Sequence, residues 1–169
     1  MELDKNEQAE LGMRYLTFRT DGQIFGLPIT EIVQITQMQE IIELPEHLPY
    51  VKGIINLRGQ IIPVIDVRLR LGKPEVPPDE HTCIIITHVQ DSDFGLIVDE
   101  VDEVAEIPIE QISAPPKINA GADKVNAYLT GIAKLKMSSS QNERVVLLLR
   151  ASKILGEAEF ASLSQAAGL

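Results

Sequence analysis

The chain has 169 residues, room for one domain or two small packed lobes and too few for an enzyme with separate cofactor and substrate domains. Hydrophobic residues make up 44% and charged residues 24%, which excludes a disordered chain, and 15 Lys+Arg against 25 Asp+Glu leave a net charge of −10, which works against binding a nucleic-acid duplex. With 4 Phe, 3 Tyr and no Trp, the sequence also lacks a base-stacking platform, whereas its 21 Ile and 12 Val suit sheets.

The first residues, Met1-Glu2-Leu3-Asp4-Lys5, have no basic region leading into an apolar stretch, so no secretory signal is expected. No apolar run reaches the roughly 18 residues needed to span a bilayer. The single Cys83 precedes Ile84-Ile85-Ile86 and cannot form an internal disulfide; a reduced, cytosolic setting is expected.

Along the chain, Tyr15 to Phe18 and Ile24 to Leu27 flank Asp21-Gly22, a hairpin signal because type I′ turns need positive φ at both central positions. Pro28 opens Ile29 to Val33, whose spacing allows one helical turn before a strand through Ile35. Pro45 and Pro49 mark residues 43–50 as a connector. A second hairpin follows, Val51 to Leu57 and Gln60 to Asp66 about Arg58-Gly59; the strand of Pro63 should lie at an edge or carry a bulge.

Asp66 reads as the N-cap of a short helix, Val67 to Leu71, closed by Gly72 and followed by Pro74. Strands then run from Thr82 to Val89 and Phe94 to Val98 about an acidic turn, Asp91-Ser92-Asp93, and from Leu129 to Met137 and Arg144 to Leu149 about a polar loop. Many short strands at turn-punctuated intervals predict a small-barrel or sandwich architecture, not a parallel α/β sheet. No internal repeat is evident.

No Gly-rich phosphate loop, Gly-x-Ser-x-Gly elbow or His-Glu-x-x-His motif is present. His81, Cys83 and His88 would fall on two faces of one strand and make no metal site. Asp91-Ser92-Asp93-Phe94-Gly95 has its glycine one place too early for a calcium loop, and Asp102 stands where a bidentate Glu is needed.

Charge is unevenly distributed. Residues 91–110 carry Asp91, Asp93, Asp99, Glu100, Asp102, Glu103, Glu106 and Glu110 with no Lys or Arg, whereas residues 52–73 carry Lys52, Arg58, Arg68, Arg70 and Lys73 against Asp66 alone. This asymmetry suits either a solvated face or a charge-steered protein interface. Val98, Val101 and Val104 recur at every third position, either as a core edge or as an apolar stripe for a partner's helix. Arg58, at a turn tip, offers forked donors for a carboxylate, and its role is structural or partner-directed.

Five segments then combine: Phe25-Gly26-Leu27-Pro28-Ile29; Val51-Lys52-Gly53-Ile54-Ile55-Asn56-Leu57-Arg58-Gly59; Ile62-Pro63-Val64-Ile65-Asp66; Gly95-Leu96-Ile97-Val98-Asp99-Glu100-Val101; and Tyr128-Leu129-Thr130-Gly131-Ile132. In this order and spacing they resemble the CheW-like coupling proteins of bacterial chemotaxis arrays. The resemblance implies a mainly β fold, two intertwined five-stranded SH3-like β-barrels with a few short helices. It implies a CheW-like domain over 13–155, between a flexible tail at 1–12 and a C-terminal tail at 156–169 with room for a short helix.

The function implied is that of a non-catalytic adaptor between transmembrane chemoreceptors and the histidine kinase CheA, without cofactor or metal. The partners implied are the kinase's regulatory domain and the receptor's cytoplasmic tip, with weak self-association in arrays at the inner face of the membrane. Carried onto matching positions, Ile32, Gly53, Arg58, Gly95, Val101 and Val104 are the candidate protein-interaction residues. Gly53 and Gly95 would permit close backbone approach, to a partner or within the fold; Ile32, Val101 and Val104 would wall a groove. Gln34 stands where many members have an acid. A coupler of a pilus-linked or surface-sensing pathway is the alternative within the fold, and a small acidic hydrolase or metal-binding protein the alternative outside it.

Overall fold

The computed structural model describes residues 14–45, 48–116, 128–136 and 142–155. Both expected tails, 1–12 and 156–169, lie outside the described residues. Strands β1 (Arg14–Thr20) and β2 (Gln23–Pro28) form the first hairpin, and its Asp21 and Gly22 have φ of 54° and 76°, the positive pair a type I′ turn demands. A single 3-10 turn, Ile29–Glu31, leads into β3 (Ile32–Gln37), one of the arrangements the spacing allows. β4 (Val51–Leu57) and β5 (Gln60–Asp66) form the second hairpin, with Arg58 and Gly59 at φ of 55° and 87°.

Helix α1 (Val67–Arg70) starts where Asp66 Oδ1 accepts the Arg68 N–H at 2.9 Å, and ends where Gly72 N–H donates to Leu69 O and Lys73 N–H to Arg68 O. β6 (Cys83–Val89) and β7 (Ser92–Val98) form the third hairpin. Its turn is Gln90-Asp91, with φ of 49° and 66°, so Ser92 and Asp93 are strand residues and not the expected turn. The remaining elements are β8 (Glu100–Glu106), β9 (Ile112–Ser113), β10 (Leu129–Lys136), β11 (Glu143–Leu149) and α2 (Ala151–Leu155).

Two sheets result. One has five strands in the order β3-β6-β7-β5-β4, and the other has six, β8-β1-β2-β11-β10-β9, where five were expected; the two-residue β9 is the sixth. Pro63 lies neither in an edge strand nor in a strand that carries a bulge, because β5 is flanked by β4 and β7 and is regular in both ladders. It is accommodated because the ladder to β7 begins at Val64, one residue later, and the bulge of the pair falls on β4 at Lys52.

Each sheet has its own apolar cluster, Ile55, Ile62, Val64, Ile84, Ile86 and Ile97 in the five-stranded one and Ile24, Ile107, Ala133, Val146 and Leu148 in the other. A third, larger cluster joins them: Phe18 and Phe25, with ring centroids 5.7 Å apart, pack in it with Ile85, Phe94, Leu96 and both helices. These are the two lobes and their shared interface.

The topology reveals a duplication that the sequence conceals. Each half runs hairpin, third strand, short bridge, second hairpin, helix: β1 to α1, then β6 to α2. In the first half the bridge is Ile42 against Ile54; in the second it is β9 against β10. Each third strand joins the other half's hairpin, β3 pairing with β6 and β8 with β1. One row across the five-stranded sheet reads Gly53, Val64, Gly95, and the matching row in the other reads Gly131, Leu148, Gly26. The Phe-Gly-Leu triplets at 25–27 and 94–96 and the Gly-Ile pairs at 53–54 and 131–132 preserve the repeat letter for letter. Elsewhere Ile, Val and Leu interchange at equivalent places.

The glycine rows carry a measurable consequence. A Cβ on Gly53, whose φ is +145°, would lie 2.2 Å from the backbone oxygen of Ile42, whereas Gly59, at φ +87°, faces open space. Gly53→Ala should therefore cost more than about 3 kcal/mol and Gly59→Ala about 1 kcal/mol, read by urea denaturation.

Candidate interaction surfaces

The six predicted residues fall into three environments. Gly53 and Gly95 are buried two strands apart, on either side of Val64. The backbone that approaches Gly53 is the chain's own, since Ile42 N–H donates to Ile54 O at 2.8 Å and Ile54 N–H to Ile42 O at 2.9 Å. A Cβ on Gly95 would meet Ile84 Cγ2 at 2.6 Å. Both glycines serve packing within the sheet.

Ile32 and Val101 are half-buried against the shared cluster, one at the head of β3 and the other opposite Phe18 on β8. Val104 is exposed. The spacing of Val98, Val101 and Val104 therefore builds no single apolar stripe: Val98 is core, and residues 100–106 are a strand whose bulge against β1 turns Val104 outward. Thr17 Oγ1 steadies that bulge, donating to Glu103 O at 2.7 Å and accepting from Glu103 N–H at 3.1 Å.

Arg58 stands apart at the tip of the β4–β5 turn, exposed and with no side-chain partner among the described residues. Asn56 Oδ1 accepts the Gly59 N–H at 2.8 Å and pins the turn. Sequence reasoning missed the apolar side chains most open to solvent around β3, Val33, Ile35 and Ile42. The available signal was the uncharged run Ile32–Gln37, which contrasts with the four carboxylates of its counterpart Glu100–Glu106.

The charge asymmetry does not survive folding as two opposed faces. Arg68 donates through Nε and Nη2 to Asp99 at 2.9 and 2.6 Å, and through Nη1 to Asp21 at 3.1 Å, joining the basic segment to the acidic one. Arg19 pairs with Asp102 at 2.9 Å, Lys52 pairs with Glu75, and His88 Nδ1 meets Asp93 Oδ1 at 2.6 Å. Arg70 lies over the rings of Tyr50 and Tyr128, at 4.2 and 5.0 Å, while donating to Ile154 O at the end of α2. The two segments were separate only in sequence.

Of the carboxylates at 91–110, these pairings engage Asp93, Asp99 and Asp102. No group of three His, Cys, Asp or Glu among the described residues could hold a metal ion. Burial pushes the Cys83 thiol up, away from nucleophilic thiolate character. No helix among the described residues is long and apolar enough to cross a membrane.

Residues 14–159 match the family model described as a CheW-like domain. The chain belongs to the CheW family. It is 28% identical over 157 residues to the chemotaxis protein CheW of Klebsiella aerogenes, covering 93% of this chain and 90% of that one. Against the CheW of Bacillus subtilis it is 34% identical over 110 residues, 65% of this chain and 70% of that one. The crystal structure of the scaffolding protein TtCheW from Thermoanaerobacter tengcongensis matches with a TM-score of 0.74 and 28% identity, over 88% of this chain and 95% of that one. The mainly β, two-sheet fold is thus CheW-like, and the chain is a CheW-like protein of the chemotaxis scaffold class.

Two predictions follow from the charged groups of α1. In a double-mutant cycle, Arg68→Met and Asp99→Asn should show a coupling of about 1–3 kcal/mol, and additivity would remove the bidentate pair from the lobe interface. For Asp66, burial raises the carboxyl above the usual aspartate range, against the lowering by the Leu69 and Arg68 N–H groups. The folded state then holds the proton more tightly than the unfolded chain, so this group's contribution falls as pH rises from about 4 through the raised value. Asp66→Asn, which keeps a capping oxygen, should gain stability relative to the parent over that window, measured by denaturation at a series of pH values.

Proposed function

We propose that this protein is a non-catalytic adaptor that couples transmembrane chemoreceptors to the histidine kinase CheA. The observation that carries the reading is the family match across all eleven strands, combined with an exposed Arg58 at a rigid turn. The other arginines of residues 52–73 are committed: Arg68 to Asp99 and Asp21, Arg70 to Tyr50, Tyr128 and α2. Arg58 alone among these three has its guanidinium open to a partner's carboxylate, which its fork can bind bidentately.

Apolar contact area is available elsewhere on the surface, on β3 at the sheet edge opposite β4 and on β8 in the other sheet. Val33 and Ile35 on β3 are 51% and 43% exposed and Val104 on β8 is 55% exposed, one patch on each of the two exchanged strands. A helical receptor tip needs such side chains to seat its apolar face, and Ile32 and Val101 back them from the shared core. The fold is rigid between these patches, because the strands that bear them are each laddered to the other half's hairpin. That rigidity suits a part that transmits geometry between two partners.

The test is reconstitution of purified protein with its kinase and a receptor fragment in vesicles, scored by co-sedimentation and kinase autophosphorylation. Parent protein should co-sediment and raise kinase activity. Arg58→Glu should weaken assembly at least about tenfold, on the order of 1.4 kcal/mol, while melting at the parent temperature. Parent protein that binds neither partner would sink the reading.

A further inference from the structure

We propose that the two halves of this chain can pair in trans, so that two copies form a reciprocal dimer in which each lobe pair is completed by the other copy. The proposal goes beyond the adaptor reading and rests on topology alone. Neither half closes a sheet by itself. The β1–β2 hairpin takes β8 on one side and β11 on the other, both from the second half, and the β6–β7 hairpin takes β3 and β5, both from the first. Four ladders therefore cross between the halves, and the shared core of Phe18, Phe25, Ile85, Phe94 and Leu96 is drawn from both.

The only covalent connection between the halves is the segment from α1 to β6. Residues 74–81 are exposed throughout and contribute no strand. Their ties to the rest are few among the described residues: Pro74 O accepts from Arg68 Nη1 at 3.4 Å, Glu75 pairs with Lys52, and His81 Nδ1 lies 3.8 Å from Glu100 Oε1 at the surface. Asp79 and Thr82 bond only to each other and to His81 between them. Opening this segment leaves every ladder between the halves available to the same half of a second copy. The difference between the closed monomer and the reciprocal dimer is then a loop-closure term, offset by protein concentration. Pro74, Pro77 and Pro78 favour an extended linker, which lowers the cost of opening it.

Within one chain, the effective concentration of the second half is in the millimolar range for a short connection, so the monomer dominates in dilute solution and the dimer appears when folding occurs at high concentration. Such a dimer presents every surface twice. It is a bivalent form of the same module.

The experiment uses the full chain with Cys83→Ser, Arg14→Cys and Glu106→Cys. Positions 14 and 106 are register partners on β1 and β8, both exposed, at the Cα separation a disulfide accepts. The protein is refolded over a concentration series, oxidised, and run by size exclusion and then on a non-reducing denaturing gel. At the lowest concentration the disulfide should close within one chain; a covalent dimer should grow with refolding concentration and vanish on reduction. Monomer folded dilute and then concentrated natively should remain cross-linked within the chain, which separates exchange from collision. A variant lacking residues 75–78 should shift to covalent dimer at the lowest concentration; if it does not fold, the native-linker series decides alone. Intramolecular cross-links at every refolding concentration, or a size-exclusion dimer that falls apart into monomers on the gel, would overturn the proposal.

Discussion

The structure depends on one constraint: each half of the chain lacks the strands that would complete its own sheet. The β1–β2 hairpin has a free edge on both sides until β8 and β11 arrive from the second half, and the same holds for β6–β7 until β3 and β5 arrive from the first. Unpaired backbone N–H and C=O groups at a buried edge are costly, so neither lobe reaches a satisfied state without the other. The shared core follows from this reciprocity. Phe18, Phe25, Phe94 and Leu96 lie on the inner hairpins and meet because the exchanged strands draw the two sheets together.

The polar interactions reinforce the same junction. Arg68, on the helix that ends the first half, reaches Asp99 at the turn between β7 and β8 and Asp21 at the turn between β1 and β2. Arg70, two residues along, stacks on Tyr50 and Tyr128 and caps the carbonyl end of α2. Glu31 on the first half returns the contact, accepting the Ala151 N–H at 2.9 Å where α2 begins. Charges that look like docking features in the linear sequence are thus spent on holding the lobes at a fixed relation. An adaptor needs such a fixed relation if a partner on one lobe is to influence a partner on the other.

Buried and solvent-open candidate residues separate along the same line. Gly53 and Gly95 are confined by the chain's own backbone and side chains, so their special character belongs to the glycine rows of the sheet. Arg58, Val104, Val33 and Ile35 remain open to solvent, on a turn tip and on the two exchanged strands. The exchanged strands differ in chemistry: Glu100–Glu106 carries four carboxylates and Ile32–Gln37 carries none. The two halves share one topology, and their exchanged strands differ in surface charge.

Local signals were legible in the residues themselves. Asp21-Gly22 and Arg58-Gly59 announced hairpins because positive φ is a property of the turn alone, and Asp66 with Gly72 bounded α1 because caps act within a few residues. The five spaced motifs were enough to indicate the family. Strand partnership was not legible, because which edge receives β3 or β8 is decided by packing between residues many positions apart. For the same reason the pairing of Arg68 with Asp99, the outward turn of Val104 and the duplication itself appear only in three dimensions: Ile, Val and Leu fill equivalent core positions interchangeably, and an ion pair needs proximity in space, to which separation in sequence is no guide.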